Sequence, residues 1–168
     1  MGGHRTSQWI YNHKLEIKKL HYLENNKLAV SKEETLKVIL DANFFFVPSQ
    51  FKLDIFEELE NLLNRRFEAI LLSSTQKELQ GLAESTPKTK KQALLALRFA
   101  EKCRFVPVEK GLMETFDDVI VRVASEGKIP VATNDKELRR RLRQKGVPVI
   151  FLRQKHRLEL DGAVYAYK

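Results

Sequence analysis

From residue 36 onward the chain alternates short apolar runs with longer amphipathic stretches. This is the pattern left when strands and helices take turns. LKVIL is a β-branched run that stops on Asp41 and predicts a first strand. DIFEELENLLNRR, residues 54–66, sets Ile55, Leu59, Leu62 and Leu63 at helical spacing. EAILLS predicts a second strand, and STQKELQGLAES a short helix ending in turn residues. KTKKQALLALRFAEKC reads as a helix, RFVPV as a strand and TFDDVIVRVASEGK as a helix closed by Gly127. PVATN is the next strand, DKELRRRLRQKG a helix closed by Gly146, and VPVIFLR the last strand. Short apolar strands joined by helices predict an α/β fold, a parallel sheet of about five strands covered on both faces. Residues 1–35 are polar and of mixed charge, with apolar positions at irregular spacing, and read as an arm or a marginal helix.

The length, 168 residues, fits one globular domain with an appendage. Such a chain buries enough surface to hold a core without disulfides or structural metal. Cys103 is the only cysteine, so no internal bridge forms, which suits a reducing, cytoplasmic setting. Asp41 and Arg98 interrupt the longest apolar runs well short of the roughly 18 residues a membrane span needs. The start, MGGHRTSQWIYNHK, lacks the apolar stretch of a secretory signal, and export is not expected.

Charge adds a second feature. The net charge is +8, and Lys136 to Arg157 alone hold nine Lys or Arg against the single acid Glu137, so the remainder of the chain is balanced. A neutral body with one basic segment matches a phosphate-backbone footprint, because each neutralised phosphate releases condensed counterions. A solvated helix face followed by a charged surface strand has the same composition.

Sites in open parallel sheets form beyond the carboxyl ends of the strands. Those junctions are acidic in this chain. Asp41 ends the first strand, Glu78 lies in the first turn of the helix after EAILLS, Asp117 and Asp118 open the helix after RFVPV, and Asp135 follows PVATN. Helix capping is the competing explanation: Thr75 to Glu78 fits a capping box, Thr115 to Asp118 fits its acidic version, and Asn134 or Asp135 suits the N-cap of the last helix. Asp41 has no such alternative, since it sets a charge inside an apolar run, where burial without a partner is costly. If Asp41 serves a site, the other acids converge on it, and close carboxylates persist only with bound cations or raised pKa values.

Oxygen donors without neighbouring His or Cys select Mg²⁺ or Mn²⁺ over zinc. His4, His13, His21 and His156 show no zinc-site spacing and read as surface residues. A divalent metal in an acidic pocket beside a basic segment implies phosphodiester chemistry. No Gly-rich P-loop, G-x-G-x-x-G or G-x-S-x-G occurs, which removes nucleotide-hydrolase, Rossmann and serine-hydrolase readings.

VILDANF, the acid of STQKELQGL, FDDVIVRVA and above all VATNDKELRRRLRQKGVPVIFLR resemble a PIN-domain nuclease over about residues 36–160. The last stretch is more similar to the PIN nucleases of pre-ribosomal RNA processing, the small-subunit processome type, than to the shorter VapC-type toxins. The resemblance implies a three-layer α/β/α sandwich on a parallel sheet. It also implies four acids, Asp41, Glu78, Asp117 and Asp135, that bind Mg²⁺ or Mn²⁺ and catalyse cutting of single-stranded RNA. Asp117 is preferred to Asp118 because Ile120 and Ala124 follow it at the family's spacing, with Asp118 as an additional candidate ligand. Asn43 matches the Asn that follows the first acid by two, and Thr133 and Asn134 match polar residues beside the fourth. Ala42 departs from the Thr or Ser of many members, and there is no Cys-rich zinc ribbon.

These readings converge on a cytoplasmic, metal-dependent endoribonuclease acting in ribosomal RNA processing, with Arg139, Arg140, Arg143 and Lys145 holding the RNA backbone and Arg141 pointing elsewhere. Residues 36–160 form the nuclease domain and 161–168 a tail. A VapC-type toxin, with an antitoxin partner, and a catalytically silent RNA-binding module of a ribonucleoprotein are the alternatives within the family; a homodimer is also consistent with it. A regulatory receiver domain is the alternative outside it, though RFVPVEKG carries no phospho-accepting Asp.

Overall fold

A computed structural model describes residues 35–164, so the arm predicted for residues 1–35 lies, but for its last residue, outside the described part. β1 (Leu36–Leu40) leads through Asp41 into a 3₁₀ turn (Ala42–Phe46) and the short helix α1 (Val47–Phe51). There follow α2 (Ile55–Leu63), β2 (Phe67–Leu72), α3 (Ser73–Ala83), α4 (Pro87–Ala100) and β3 (Arg104–Val106). α5 (Phe116–Gly127), β4 (Val131–Ala132), α6 (Lys136–Gln144), β5 (Val149–Arg153) and β6 (Arg157–Asp161) complete the order.

The strands form one sheet in the order β3-β2-β1-β4-β5-β6. The first five are parallel, and β6 pairs antiparallel with β5. The middle of the sheet, β1, β4 and much of β2 and β5, is buried on both faces, which is why these strands read as continuous apolar runs. On one face Val38, Leu40, Ala69 and Leu71 pack with Phe44 and Phe45 of the 3₁₀ turn, with Ile55 and Leu59 of α2 and with Ala96 and Ala100 of α4. On the other, Ile39, Ile70, Val131 and Val149 pack against Val119, Ile120 and Ala124 of α5 and Leu138 and Leu142 of α6. The fold is therefore the three-layer α/β/α sandwich expected, with a sixth strand added at one edge.

Two elements escape the hydrophobic pattern. β6 follows a turn in which Gln154 and Lys155 take positive φ, 52° and 64°. Such turns are usually marked by Gly or Asn, so QKH gives no hairpin signal. The 3₁₀ turn is hidden inside ANFFF, where Phe44 and Phe45 go straight into the core. The end of α5 differs from expectation as well. Gly127 is its last residue and Lys128 takes the left-handed conformation at φ 51°. Gly127 serves instead as a close approach, since a Cβ there would lie 2.7 Å from Ile129 Cδ1. Gly146 does follow α6 with φ 72°, as its place in the sequence predicts.

Among the described residues no helix is long and apolar enough to cross a membrane. Burial pushes the Cys103 thiol up to about 12, which removes it as a nucleophile.

Candidate active site

Strand order reverses between β1 and β4: the chain runs from β1 outward to β3, then returns to add β4 on the other side. A crevice opens at the carboxyl ends of strands flanking such a reversal. Asp41 leaves β1 there, and Thr133, Asn134 and Asp135 leave β4, held side by side by Asp41 N–H donating to the Ala132 carbonyl at 3.0 Å.

Asp41 is 3% exposed. Its Oδ1 accepts from the Ala42 N–H and its Oδ2 from the Thr133 hydroxyl, each at 2.7 Å. Thr133 Oγ1 in turn accepts from the Asp135 N–H at 3.1 Å and from Asn43 Nδ2 at 3.3 Å. Asn43 Oδ1 takes the Asn134 N–H at 3.0 Å, and Asn134 Oδ1 takes the Leu152 N–H at 2.8 Å. Asn43, Thr133 and Asn134 thus knit the ends of β1, β4 and β5 together around one buried carboxylate. Ala42 contributes its backbone N–H, and the side-chain hydroxyl comes from Thr133.

Glu78 reaches the same edge from α3, but not as the sequence motif proposes. α3 begins at Ser73 directly from β2, with Leu72 at its N-cap and no side-chain cap. Thr75 is consequently inside the helix with its hydroxyl buried and unpartnered, and Glu78 lies in the second turn. The Ser73 hydroxyl is used instead to fix the segment after β3, accepting from Val108 N–H at 2.9 Å and donating to its carbonyl at 3.0 Å. Freed from capping, Glu78 has one carboxylate oxygen, Oε2, buried without a hydrogen-bond partner.

At α5 the neighbouring acids divide the work. Asp118 completes a capping box with Thr115 and pairs with Arg141 Nη2 at 2.5 Å. Backbone and arginine bonds hold its carboxyl down at about 2. Asp117 has no such engagement, and its half-buried carboxylate belongs to the acidic edge. Asp135 caps α6, its Oδ1 accepting from the Leu138 N–H at 2.7 Å.

Electrostatics tie the four acids into one group. Burial, reinforced by the charges of Asp117 and Asp135, raises Asp41 to about 6 despite the Thr133 hydrogen bond. Glu78 is pushed up to about 7, first by burial and then by Asp41 and Asp117. Asp117 is also raised, by burial and by Asp135, with Arg141 acting against them. Four strand ends therefore bring four carboxylates within each other's fields.

The chain matches the PIN-like domain family over residues 38–155. It belongs to the PIN-domain family. Ribonuclease VapC4 of Methanocaldococcus jannaschii is 32% identical over 129 residues, covering 76% of this chain and 98% of the relative. Ribonuclease VapC9 of Archaeoglobus fulgidus is 29% identical over 124 residues, covering 73% and 87%. The solved structure of the PIN domain endonuclease Utp24 covers 79% of this chain and 96% of its own, at 29% identity and a TM-score of 0.64. A domain of unknown function from M. jannaschii shares the fold alone, at 17% identity, 71% and 92% coverage and a TM-score of 0.52. The receiver-domain alternative falls with this assignment.

PIN nucleases use divalent metal ions, and the donor set here fits a hard cation. The acids offer only oxygen, three of them are raised by burial and mutual repulsion, and Glu78 Oε2 is an orphaned buried acceptor facing no donor. Among the described residues no three such side chains already stand grouped to hold a metal ion.

The basic segment of this PIN domain runs from the acidic edge along α6. Arg139, Arg140 and Arg143 line an open groove of about 510 Å³ with Lys136, Gln144, Phe151 and Asp161. Lys145 is exposed at the end of the helix, and His156 is exposed in the β5–β6 turn. Arg141 does point away from this face, and its pairing with Asp118 beside the acids is a feature that sequence spacing alone does not reveal.

Proposed function

We propose that this PIN domain is a divalent-metal-dependent endoribonuclease. The observation that carries the reading is the convergence of Asp41, Glu78, Asp117 and Asp135 on the switch point of the sheet, three of them with pKa values raised by burial and by one another. A structural role favours the opposite, since repelling acids weaken a fold that has no use for them. The relatives' names support RNA as the substrate class.

Asp41, Glu78, Asp117 and Asp135 would hold Mg²⁺ or Mn²⁺. When bound, such a cation lowers the pKa of a water and neutralises charge on the phosphate. Thr133 and Asn43 hold Asp41 in one orientation. Asp135 spends Oδ1 on the helix cap and keeps Oδ2 for the site. Arg141 takes up the charge of Asp118, which leaves Asp117 as the available acid at α5. Lys136, Arg140 and Arg143 attract the RNA backbone along α6.

We read the substrate as precursor ribosomal RNA, on the likeness of residues 131–153 to the processome nucleases, and the setting as cytoplasmic. The VapC relatives favour a second reading, a toxin ribonuclease with an antitoxin partner. A small antitoxin gene immediately upstream selects the second. The activity itself is tested by incubating labelled RNA, carrying single-stranded and hairpin regions, with the protein in Mg²⁺, Mn²⁺ or chelator. The proposal requires discrete cuts with metal and none with chelator. Tight, salt-sensitive binding without cuts under any condition leaves the silent scaffold module in its place.

A further inference from the structure

The arginines of α6 are held in two different ways. Arg140 pairs with Glu137, Arg141 with Asp118, and Arg143 with Asp161 and the Val147 carbonyl. Among the described residues Arg139 has no acid partner. Its guanidinium carbon lies instead 4.0 Å from the centroid of the Phe151 ring. Its Nε is buried without an acceptor, a placement that charge pairing does not reward. The result is a planar cation oriented by an aromatic ring and bordering the groove.

The position of this pair is informative. Arg139 donates its backbone N–H to the Asp135 carbonyl at 3.0 Å, so the two residues are one helical turn apart on the same face. A strand crossing the acids therefore meets Arg139 next. The groove, at about 510 Å³, has the volume of a small-ligand pocket and already holds Lys136, Arg140 and Arg143 for phosphates. A further point charge adds little there. A flat guanidinium backed by a phenyl ring offers a stacking surface for a base, as single-stranded RNA readers use aromatic and arginine planes.

We propose that Arg139, backed by Phe151, is a nucleobase-stacking subsite that positions the nucleotide beside the acidic centre. The inference rests on the nuclease reading, and binding rather than cleavage tests it. Binding is measured with the full chain carrying Asp41→Asn and a labelled single-stranded oligoribonucleotide in which each base in turn is replaced by an abasic unit. One position should stand out, with loss of its base weakening binding about 5- to 100-fold. Arg139→Lys keeps the charge and removes the plane, so it should flatten that position and leave the salt dependence unchanged. Phe151→Leu keeps apolar bulk and should flatten it in part, and thermal unfolding verifies that each variant is folded.

A flat abasic profile in the parent, or a profile that Arg139→Lys leaves intact, overturns the subsite and marks the groove as a phosphate track, while wild-type cleavage still upholds the nuclease. Failure to bind any RNA, together with absence of cleavage by the wild type, overturns both and points to a protein partner for the groove.

Discussion

Thr133 donates its hydroxyl to Asp41 Oδ2 at 2.7 Å, joining the end of β4 to the end of β1 across 92 residues of sequence. The bond favours the ionised carboxylate and opposes the burial that drives its pKa upward. Thr133→Val removes the one side-chain donor to Asp41 among the described residues and leaves a buried acceptor unpaired. The variant should lose about 1 to 3 kcal/mol of stability in urea unfolding. The acid limb of its pH–rate profile should move to higher pH, and Thr133→Ser should restore both.

Asp41 and Glu78 predict an unusual pH dependence for the metal-free protein. Their folded pKa values, about 6 and about 7, lie above the ordinary 3.8 and 4.5, so the folded state holds their protons more tightly than the unfolded state does. The stability they contribute is full below about pH 4 and is lost as pH rises towards 7. Buried Asp41 alone accounts for up to about 3 kcal/mol of that loss. Thermal unfolding in chelator should show a midpoint that falls between about pH 4 and pH 7. Mn²⁺ should raise the midpoint far more at the upper end than at the lower, and Asp41→Asn should be more stable than the wild type without metal at about pH 8.

The adjacent acids of α5 should separate cleanly. Asp117→Asn should abolish cleavage, by at least about a hundredfold, while leaving the unfolding midpoint unchanged or raised, because it removes a repelled carboxylate. Asp118→Ala should lower the midpoint through loss of the capping box and the Arg141 pair, yet retain activity within roughly tenfold. Asp118 also has the opposite pH behaviour to Asp41: held at about 2, it stabilises above the ordinary carboxylate range and that contribution disappears as pH falls towards 2. Equal losses of activity in the two variants contradict the division drawn between them.

Arg140 and Arg143 line the groove while bonded to Glu137 and Asp161, and these exposed pairs are weak enough to exchange for phosphates. Arg140→Gln and Arg143→Gln should each weaken RNA binding and reduce the slope of log affinity against log salt by about 1. Slopes equal to that of the wild type mean that this face is only solvated.

The parts of this account that the sequence makes visible are those where local pattern and burial agree. The central strands are doubly buried and read as apolar runs, and Asp41 stands out because it interrupts one at 3% exposure. Asp135 and Asp118 fall where capping rules put acids, and they do cap. Glu78 is placed in a first turn by its sequence motif, but β2 enters α3 without a side-chain cap, so the capping-box explanation fails, Thr75 is buried in the helix and the acid lies a turn further on. The pairing of Arg141 with Asp118, 23 residues away, and the stacking of Arg139 on Phe151 depend on how α6 sits on the sheet. Spacing along a helix tells which residues share a face, but not which face meets a neighbour. β6 is missed because its turn uses Gln154 and Lys155 where glycine or asparagine normally gives the signal.

The most direct test of the central claim compares wild type with Asp41→Asn on a labelled RNA in Mg²⁺, Mn²⁺ and chelator, with unfolding midpoints recorded for each protein. The account predicts metal-dependent cuts by the wild type that vanish in Asp41→Asn, although the variant remains folded and still binds RNA. Metal-dependent cleavage that persists in folded Asp41→Asn contradicts it.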